Sequence, residues 1–300
     1  MAIDWTFEGT WPYEPSWFDS SDGRMHYVDV GPSDGKPVVM VHGNPTWGYL
    51  YRNFIGPVAD AGYRAIAPDH LGFGRSEKPD QPELYSVRRH AERLDALLES
   101  LDLGEATVVG QDWGGPTSLY WATQHPERVR SLFILNTFAH RLQTEAKLPL
   151  PVRLFRAKGV GELMVKGLHL FVRGMVFRAG VVHRDRLTPV VRKAYLVPHP
   201  TYRSRTPVLQ FPREIPTGPE GDVSDLNADI EVRLRKYFRT KPVKIMWAMK
   251  DIAFTPQMVD DLWLHTFPDA EVVRLEDAGH YLQEDAYERI VPELVEFLGR

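Results

Sequence analysis

The chain has 300 residues, a formal net charge of −4, 43% hydrophobic residues and no cysteine. That length accommodates one large domain with a second one inserted. The near balance of charge gives no reason to expect nucleic acid or an anionic membrane as partner, and the lack of cysteine excludes disulfides, thiolate chemistry and Cys-based zinc sites.

The N-terminal stretch MAIDWTFEGTWPYEPSW is polar and aromatic, not basic and then apolar, so it does not read as a signal peptide. No apolar run reaches bilayer length, and a cytoplasmic location is expected. WFDSSDGRMHYVDVG reads as two strands around an Asp22-Gly23 turn. KPVVMVHG and YRAIAPD are short apolar runs of the kind buried on both faces of a parallel sheet. After Ser86, the spacing of Val87, Ala91, Leu94, Leu97, Leu98 and Leu101 predicts an amphipathic helix capped by the serine and stopped at Gly104. ATVVG is the next strand, GPTSLYWATQHPE the next helix with Pro116 in its first turn, and RSLFILNT a further strand.

Between Asn136 and Val243 this rhythm stops. The stretch is rich in Arg, Lys and Pro, and FPREIPTGPEGD reads as loop. The rhythm then returns: VKIMWAM as strand, TPQMVDDLWLHTF as helix, AEVVRLED as strand, and HYLQEDAYERI and PELVEFLG as helices. Repeated strand–helix units predict a mostly parallel sheet covered on both faces, with a helical insertion forming a cap over one end. The expected division is a core of residues 1–138 and 228–300 and a cap of 139–227.

In an open parallel sheet the chemistry collects at the carboxyl ends of the strands. Asp112 stands at such an end in VVGQDWGGPTS, flanked by Gly110 and Gly114. This is the spacing of a nucleophile elbow, written G-x-S-x-G for serine and here G-x-D-x-G; aspartate is also a favoured helix N-cap. VHGNP (41–45) ends an earlier strand and offers a backbone N–H for an oxyanion hole, with Trp113 offering the second. Asp251 ends the strand VKIMWAMKD, and His280 follows the last strand in EDAGH. Nucleophile, acid, histidine is the chain order of α/β-hydrolase triads.

A carboxylate is already ionised at neutral pH, so Asp112 needs no base in order to attack an activated sp³ carbon and form an ester. His280 is needed only afterwards, to deprotonate the water that cleaves the ester, and Asp251 orients the imidazole. Suitable targets are a halide, a strained epoxide or a strained lactone. His42 and Asp69 are expected to hold the loops around the cleft. Phe138, Leu148, Phe155, Leu170, Phe171, Phe177 and Phe254 are candidate pocket-lining residues. No metal or organic cofactor is implied, because the His and acidic residues lack ligand spacing and no Gly-rich phosphate loop follows a strand.

HGNPTWGYLYR, APDHLGFGRS, GQDWGGP, HPERV, MKD and DAGHYLQED resemble the haloalkane dehalogenases of the α/β-hydrolase superfamily along nearly the whole chain. The first and third motifs are the specific ones; the others are shared with epoxide hydrolases. The resemblance implies an α/β-hydrolase fold with an eight-stranded sheet, and halide donors at Trp113 and Asn44. Asn136 stands where one branch of the family keeps its acid, and residues 139–227 contain no tryptophan to serve as a donor from the cap. Asn44 with a late acid therefore looks like the third dehalogenase subgroup. The chain is also similar to the β-lactone decarboxylases of bacterial olefin synthesis, which use the same aspartate, histidine and acid and have a similar cap. Epoxide hydrolases, whose cap tyrosines protonate the opening oxygen, stay open through Tyr195 and Tyr202, and a binding protein on this fold is the non-enzymatic alternative. The partners implied are a small hydrophobic substrate (haloalkane or β-lactone), water and a released halide ion, without nucleic acid or membrane; a homo-oligomer is compatible with all of these.

Overall fold

The hairpin expected at Asp22-Gly23 forms. β1 (Ser16–Ser20) pairs antiparallel with β2 (Gly23–Val30), with Ser20 opposite Gly23. In the computed structural model, which describes residues 3–300, this hairpin edges an eight-stranded sheet of order β1-β2-β4-β3-β5-β6-β7-β8. β3 (Pro37–Val41), β4 (Arg64–Pro68), β5 (Ala106–Asp112), β6 (Val129–Thr137), β7 (Val243–Ala248) and β8 (Glu271–Leu275) run parallel to one another, and β2 meets β4 antiparallel. Every residue of β3, β5 and β7 is buried. That burial explains why these strands are mostly apolar and lack a regular polar alternation.

The helices cover both faces. α1 (Arg52–Asp60) packs on β4. α2 (Val87–Ser100) buries Val87, Ala91, Leu94, Leu97 and Leu98 as its spacing predicts, and Ser86 caps it by accepting from the Arg89 N–H at 3.3 Å. α3 (Gly114–Gln124) follows β5 directly and packs on α2. Between β6 and β7 the chain forms α4 (Leu150–Arg156), a π-helical segment (Glu162–Gly167), α5 (Leu170–Gly174), α6 (Pro189–Leu196), α7 (Thr206–Glu214) and α8 (Asp222–Tyr237). After β7 a π-helical turn (Val259–Trp263) runs into α9 (Leu264–Thr266), and α10 (Leu282–Asp285) and α11 (Tyr287–Leu298) close the chain.

Three expectations change. FPREIPTGPEGD is not all loop, because its first four residues end α7; Pro207 sits at the helix start, where its missing N–H is harmless, and Pro212 lies near the end. YERI and PELVEFL are one helix that runs through Pro292, packed by its buried Ile290, Val291, Leu294, Phe297 and Leu298. The expected boundary at 227/228 falls inside α8, a continuous helix that packs on α2 and α3. We propose that α8 belongs to the core and that the cap comprises residues 139–221.

Candidate active site

β5 delivers Asp112 as its last residue, and α3 begins two residues later. To turn that fast, Asp112 adopts a left-handed φ of +52°, a conformation that costs a non-glycine residue on the order of 1–3 kcal/mol. The neighbours over-determine it. The Thr137 hydroxyl donates to the Asp112 carbonyl at 2.5 Å. A Cβ on Gly114 would stand 2.1 Å from the Val41 carbonyl oxygen, and one on Gly43 would stand 2.1 Å from Asp112 Oδ1. The glycines of this motif are therefore closeness requirements. Gly43→Ala is expected to push the carboxylate aside and reduce turnover by about 10²-fold, with the far-UV circular dichroism spectrum unchanged.

The Asn44 N–H donates to Asp112 Oδ1 at 2.7 Å, and the Trp113 N–H also bonds this carboxylate. The two N–H groups expected to form an oxyanion hole thus bond the Asp112 carboxylate itself. Burial pushes the Asp112 carboxyl up to about 6, against the opposing pull of the His280 charge and these two N–H donors.

His280 lies past β8 with Nε2 3.5 Å from Asp112 Oδ2 and Nδ1 3.0 Å from Asp251 Oδ2. The structure therefore brings Asp112, His280 and Asp251 together. Burial alone pulls the imidazole down. The Asp251 charge and hydrogen bond, together with the Asp112 charge, outweigh it and lift His280 to about 9. Asp251 is fixed from three further sides, since its Oδ1 accepts from the Ala253 N–H at 2.7 Å and the Phe254 N–H at 3.1 Å, and its Oδ2 from Asn136 Nδ2 at 2.9 Å. Asn136 is itself locked to β7: its Oδ1 accepts from the Ala248 N–H at 2.6 Å and its Nδ2 also reaches the Ala248 carbonyl. So the asparagine in the alternative acid position holds the acid. Asn136→Leu is expected to orphan one Asp251 lone pair and the Ala248 N–H. The predicted cost is about 2–3 kcal/mol of stability, read as a lower denaturation midpoint, together with a roughly tenfold fall in kcat.

Aromatic rings enclose the nucleophile. The Trp113 indole stacks on Phe211 of α7 (centroids 5.2 Å apart, 25° between planes) and meets Phe138 edge-on at 5.0 Å. Phe254 tilts over His280 at 5.5 Å and against Phe138 at 5.6 Å. Phe138 and Phe254 thus reach the site. Phe155 and Phe171 instead pack edge-on against each other, and Phe177 lies beneath the Arg192 guanidinium. Leu170 is exposed, and Leu148 lines a cleft on the cap surface. The Asn44 side chain is buried and turned to α7, its Nδ2 donating to the Val208 carbonyl at 3.3 Å. One hydrogen of that amide remains for a second acceptor. Tyr195 gives its hydroxyl to Glu284, and Tyr202 is exposed beside Lys166. His42 and Asp69 tie loops as expected: His42 Nε2 accepts from the His70 N–H at 3.0 Å, and Asp69 accepts from Gly48 and Arg75 N–H and pairs with His26.

The α/β-hydrolase fold family matches residues 36–287. The chain belongs to this family. Within it, this α/β-hydrolase is similar to the cis-3-alkyl-4-alkyloxetan-2-one decarboxylase of Xanthomonas campestris pv. campestris, at 35% identity over 98% of this chain and 99% of that one. It is equally similar to haloalkane dehalogenase 2 of Mycobacterium tuberculosis, at 35% identity over the whole of both chains. Among solved structures, haloalkane dehalogenase DbeA of Bradyrhizobium elkani superposes with a TM-score of 0.86 at 29% identity, covering 95% of this chain and 97% of that one.

Two contributors to the hydrolase site escape a sequence reading. Phe211 sits in a segment whose prolines signal loop, so nothing in the residues aims it at Trp113. Gln111, which precedes the nucleophile, donates from Nε2 to the His280 carbonyl at 3.0 Å and pins the histidine loop to β5; its position beside Asp112 was the available signal.

Proposed function

We propose that this protein is a haloalkane dehalogenase. Asp112 displaces halide from an sp³ carbon to form an alkyl ester, and water activated by His280 cleaves the ester to give alcohol, halide and a proton. The observation that carries this reading is a buried carboxylate at the elbow, held by two backbone N–H groups and facing a histidine at 3.5 Å, with a tryptophan as its next residue. No proton has to leave Asp112 before attack. Alkylation turns the carboxylate into a neutral ester and removes one of the charges that lift His280. The imidazole then loses affinity for its proton just when a base is required. The Trp113 indole N–H and the Asn44 amide are the proposed halide donors, stabilising charge as it develops in an apolar enclosure.

The reactive form of Asp112 is the anion, and its carboxyl is raised to about 6. As pH falls through that value the anion is lost. kcat/KM for a bromoalkane is therefore expected to be level above about pH 7 and to fall tenfold per pH unit below about 6, a profile that steady-state bromide release measures directly.

The Xanthomonas relative supports a second reading. The same aspartate would displace the ring oxygen of a cis-3,4-dialkyl β-lactone at its sp³ carbon, and loss of CO₂ from the freed carboxylate would break the new ester C–O bond, leaving an alkene and returning the Asp112 carboxylate. Opening an epoxide is less suited, because the Tyr195 hydroxyl is engaged by Glu284 and Tyr202 faces outward. Offering the enzyme 1-bromohexane and a cis-dialkyl β-lactone in parallel separates the two. Bromide with hexanol supports dehalogenation, whereas alkene from the lactone without bromide from the haloalkane overturns it.

A further inference from the structure

The near balance of charge conceals two opposite fields. Residues 139–221 contain fifteen Lys and Arg against five Asp and Glu, a net +10, so the remainder of the chain carries −14. Among the described residues, eight of the eleven exposed large apolar side chains also lie in this segment. Six of them fall within residues 150–170: Leu150, Leu154, Val160, Leu163, Leu168 and Leu170, from 37% to 62% exposed. Leu150 and Leu154 are one helical turn apart on α4, with exposed Arg153 between them. The ion pairs of this segment use Lys166, Arg186, Arg203 and Arg213. Within residues 147–178 the exposed Lys147, Arg153, Lys158, Arg173 and Arg178 have no carboxylate partner among the described residues. A cleft of about 540 Å³ in the same segment is lined by Lys147, Leu148, Arg153 and Arg156.

A surface that is both greasy and cationic needs an occupant that is both apolar and anionic. A second copy of this chain does not supply one. Cap against cap opposes two fields of +10. Cap against core has the right charge, but among the described residues only Ile3, Val232 and Ile252 are exposed large apolar residues there, too few to receive six from the cap. A bilayer with anionic headgroups supplies both at once, taking leucines at the acyl boundary and neutralising Lys and Arg in the headgroup layer. We propose that the cap surface formed by residues 147–178 docks on anionic membranes. No helix among the described residues is long and apolar enough to cross a membrane, so the contact is peripheral. It places the cap against the phase into which alkyl substrates partition. That consequence rests on the function proposed above; the docking itself does not.

The test is co-sedimentation of the full chain with vesicles of phosphatidylcholine alone and of phosphatidylcholine mixed with phosphatidylglycerol. Partitioning is expected to be at least about tenfold higher on the anionic vesicles and to fall as salt shortens the screening length. Leu154→Glu with Leu163→Glu is expected to reduce binding by more than about tenfold, and Lys147→Gln with Arg153→Gln by about 25-fold, about fivefold per charge. Circular dichroism and bromide release from a short, water-soluble bromoalkane report whether each variant is folded. The two pairs act through different chemistry, so loss of one by misfolding leaves the other decisive. Absence of vesicle binding, equal binding to both lipid compositions, or binding unchanged in a folded variant overturns the proposal and gives the face to an acidic protein partner. A concentration-dependent mass in light scattering that Leu163→Glu abolishes gives it to a second copy. Lack of bromide release by a vesicle-binding enzyme would instead sink only the dehalogenase reading.

Discussion

Alanine in place of Asp112 is expected to abolish bromide release from a bromoalkane, by about 10⁶-fold in kcat, while the protein stays folded. Asp112 is the sole group that the elbow presents beneath Trp113 and beside His280, and the carbon–oxygen bond of the intermediate is made by its own carboxylate. Its loss leaves no carboxylate for the substrate to alkylate and no ester for water activated by His280 to cleave. Stability should not fall with activity. The carboxylate is 7% exposed and raised to about 6, so its charge is held in the fold against a desolvation cost; removing it relieves that cost while Thr137 still ties the Asp112 backbone carbonyl. A melting temperature equal to or above that of the parent, with no halide released, is the expected pair of results. Retained turnover would remove Asp112 from the reaction altogether. In the parent enzyme, a single turnover in ¹⁸O-water must place the label in the Asp112 side chain, because water attacks the ester at its carboxyl carbon, where the Asn44 and Trp113 N–H groups receive the developing charge. Label found only in the alcohol would mean direct hydrolysis of the haloalkane.

The sequence announced those parts of the molecule that local physics specifies. Ser86 and the 3–4 spacing of Val87 to Leu98 marked α2, and unalternating runs marked β3, β5 and β7, because a strand covered on both faces has no polar side to show. Asp112 ends β5 and Asp251 and His280 follow β7 and β8, and the carboxyl ends of parallel strands converge, so their proximity was legible. Where packing overrides local preference, the reading fails. Pro207 and Pro212 argue for loop, yet α7 forms around them and brings Phe211 onto Trp113. Pro292 argues for a break, yet α11 continues on the strength of its apolar face. Gly221 is followed at once by α8, whose packing on α2 and α3 is what supports counting it with the core. Asn136 carries no mark of its own either; its part in holding Asp251 exists only because β6 and β7 are neighbours.

Phenylalanine in place of His280 is expected to separate the two halves of the reaction. Attack by Asp112 transfers no proton, so the variant should release one equivalent of bromide. It should then stop, with a mass increase equal to the alkyl group and the adduct on Asp112. The ring has room. The imidazole already packs edge-on against Tyr281 at 4.6 Å and under Phe254 at 5.5 Å, and Asp251 keeps Ala253, Phe254 and Asn136 as donors. The substitution also removes the positive charge that holds the Asp112 carboxyl down, and burial then acts on it with less opposition. Its protonation midpoint must rise above about 6, so a smaller share is ionised at neutral pH than in the parent. Adduct formation is therefore expected to accelerate as pH rises from about 6 to about 9. A merely structural role for His280 predicts no adduct accumulating on Asp112, because ester hydrolysis would not then need the imidazole. Intact-protein mass spectrometry across that pH range reads both outcomes, and continued multiple turnover, or bromide release with no mass gain on Asp112, would show that the ester is not the intermediate that His280 resolves.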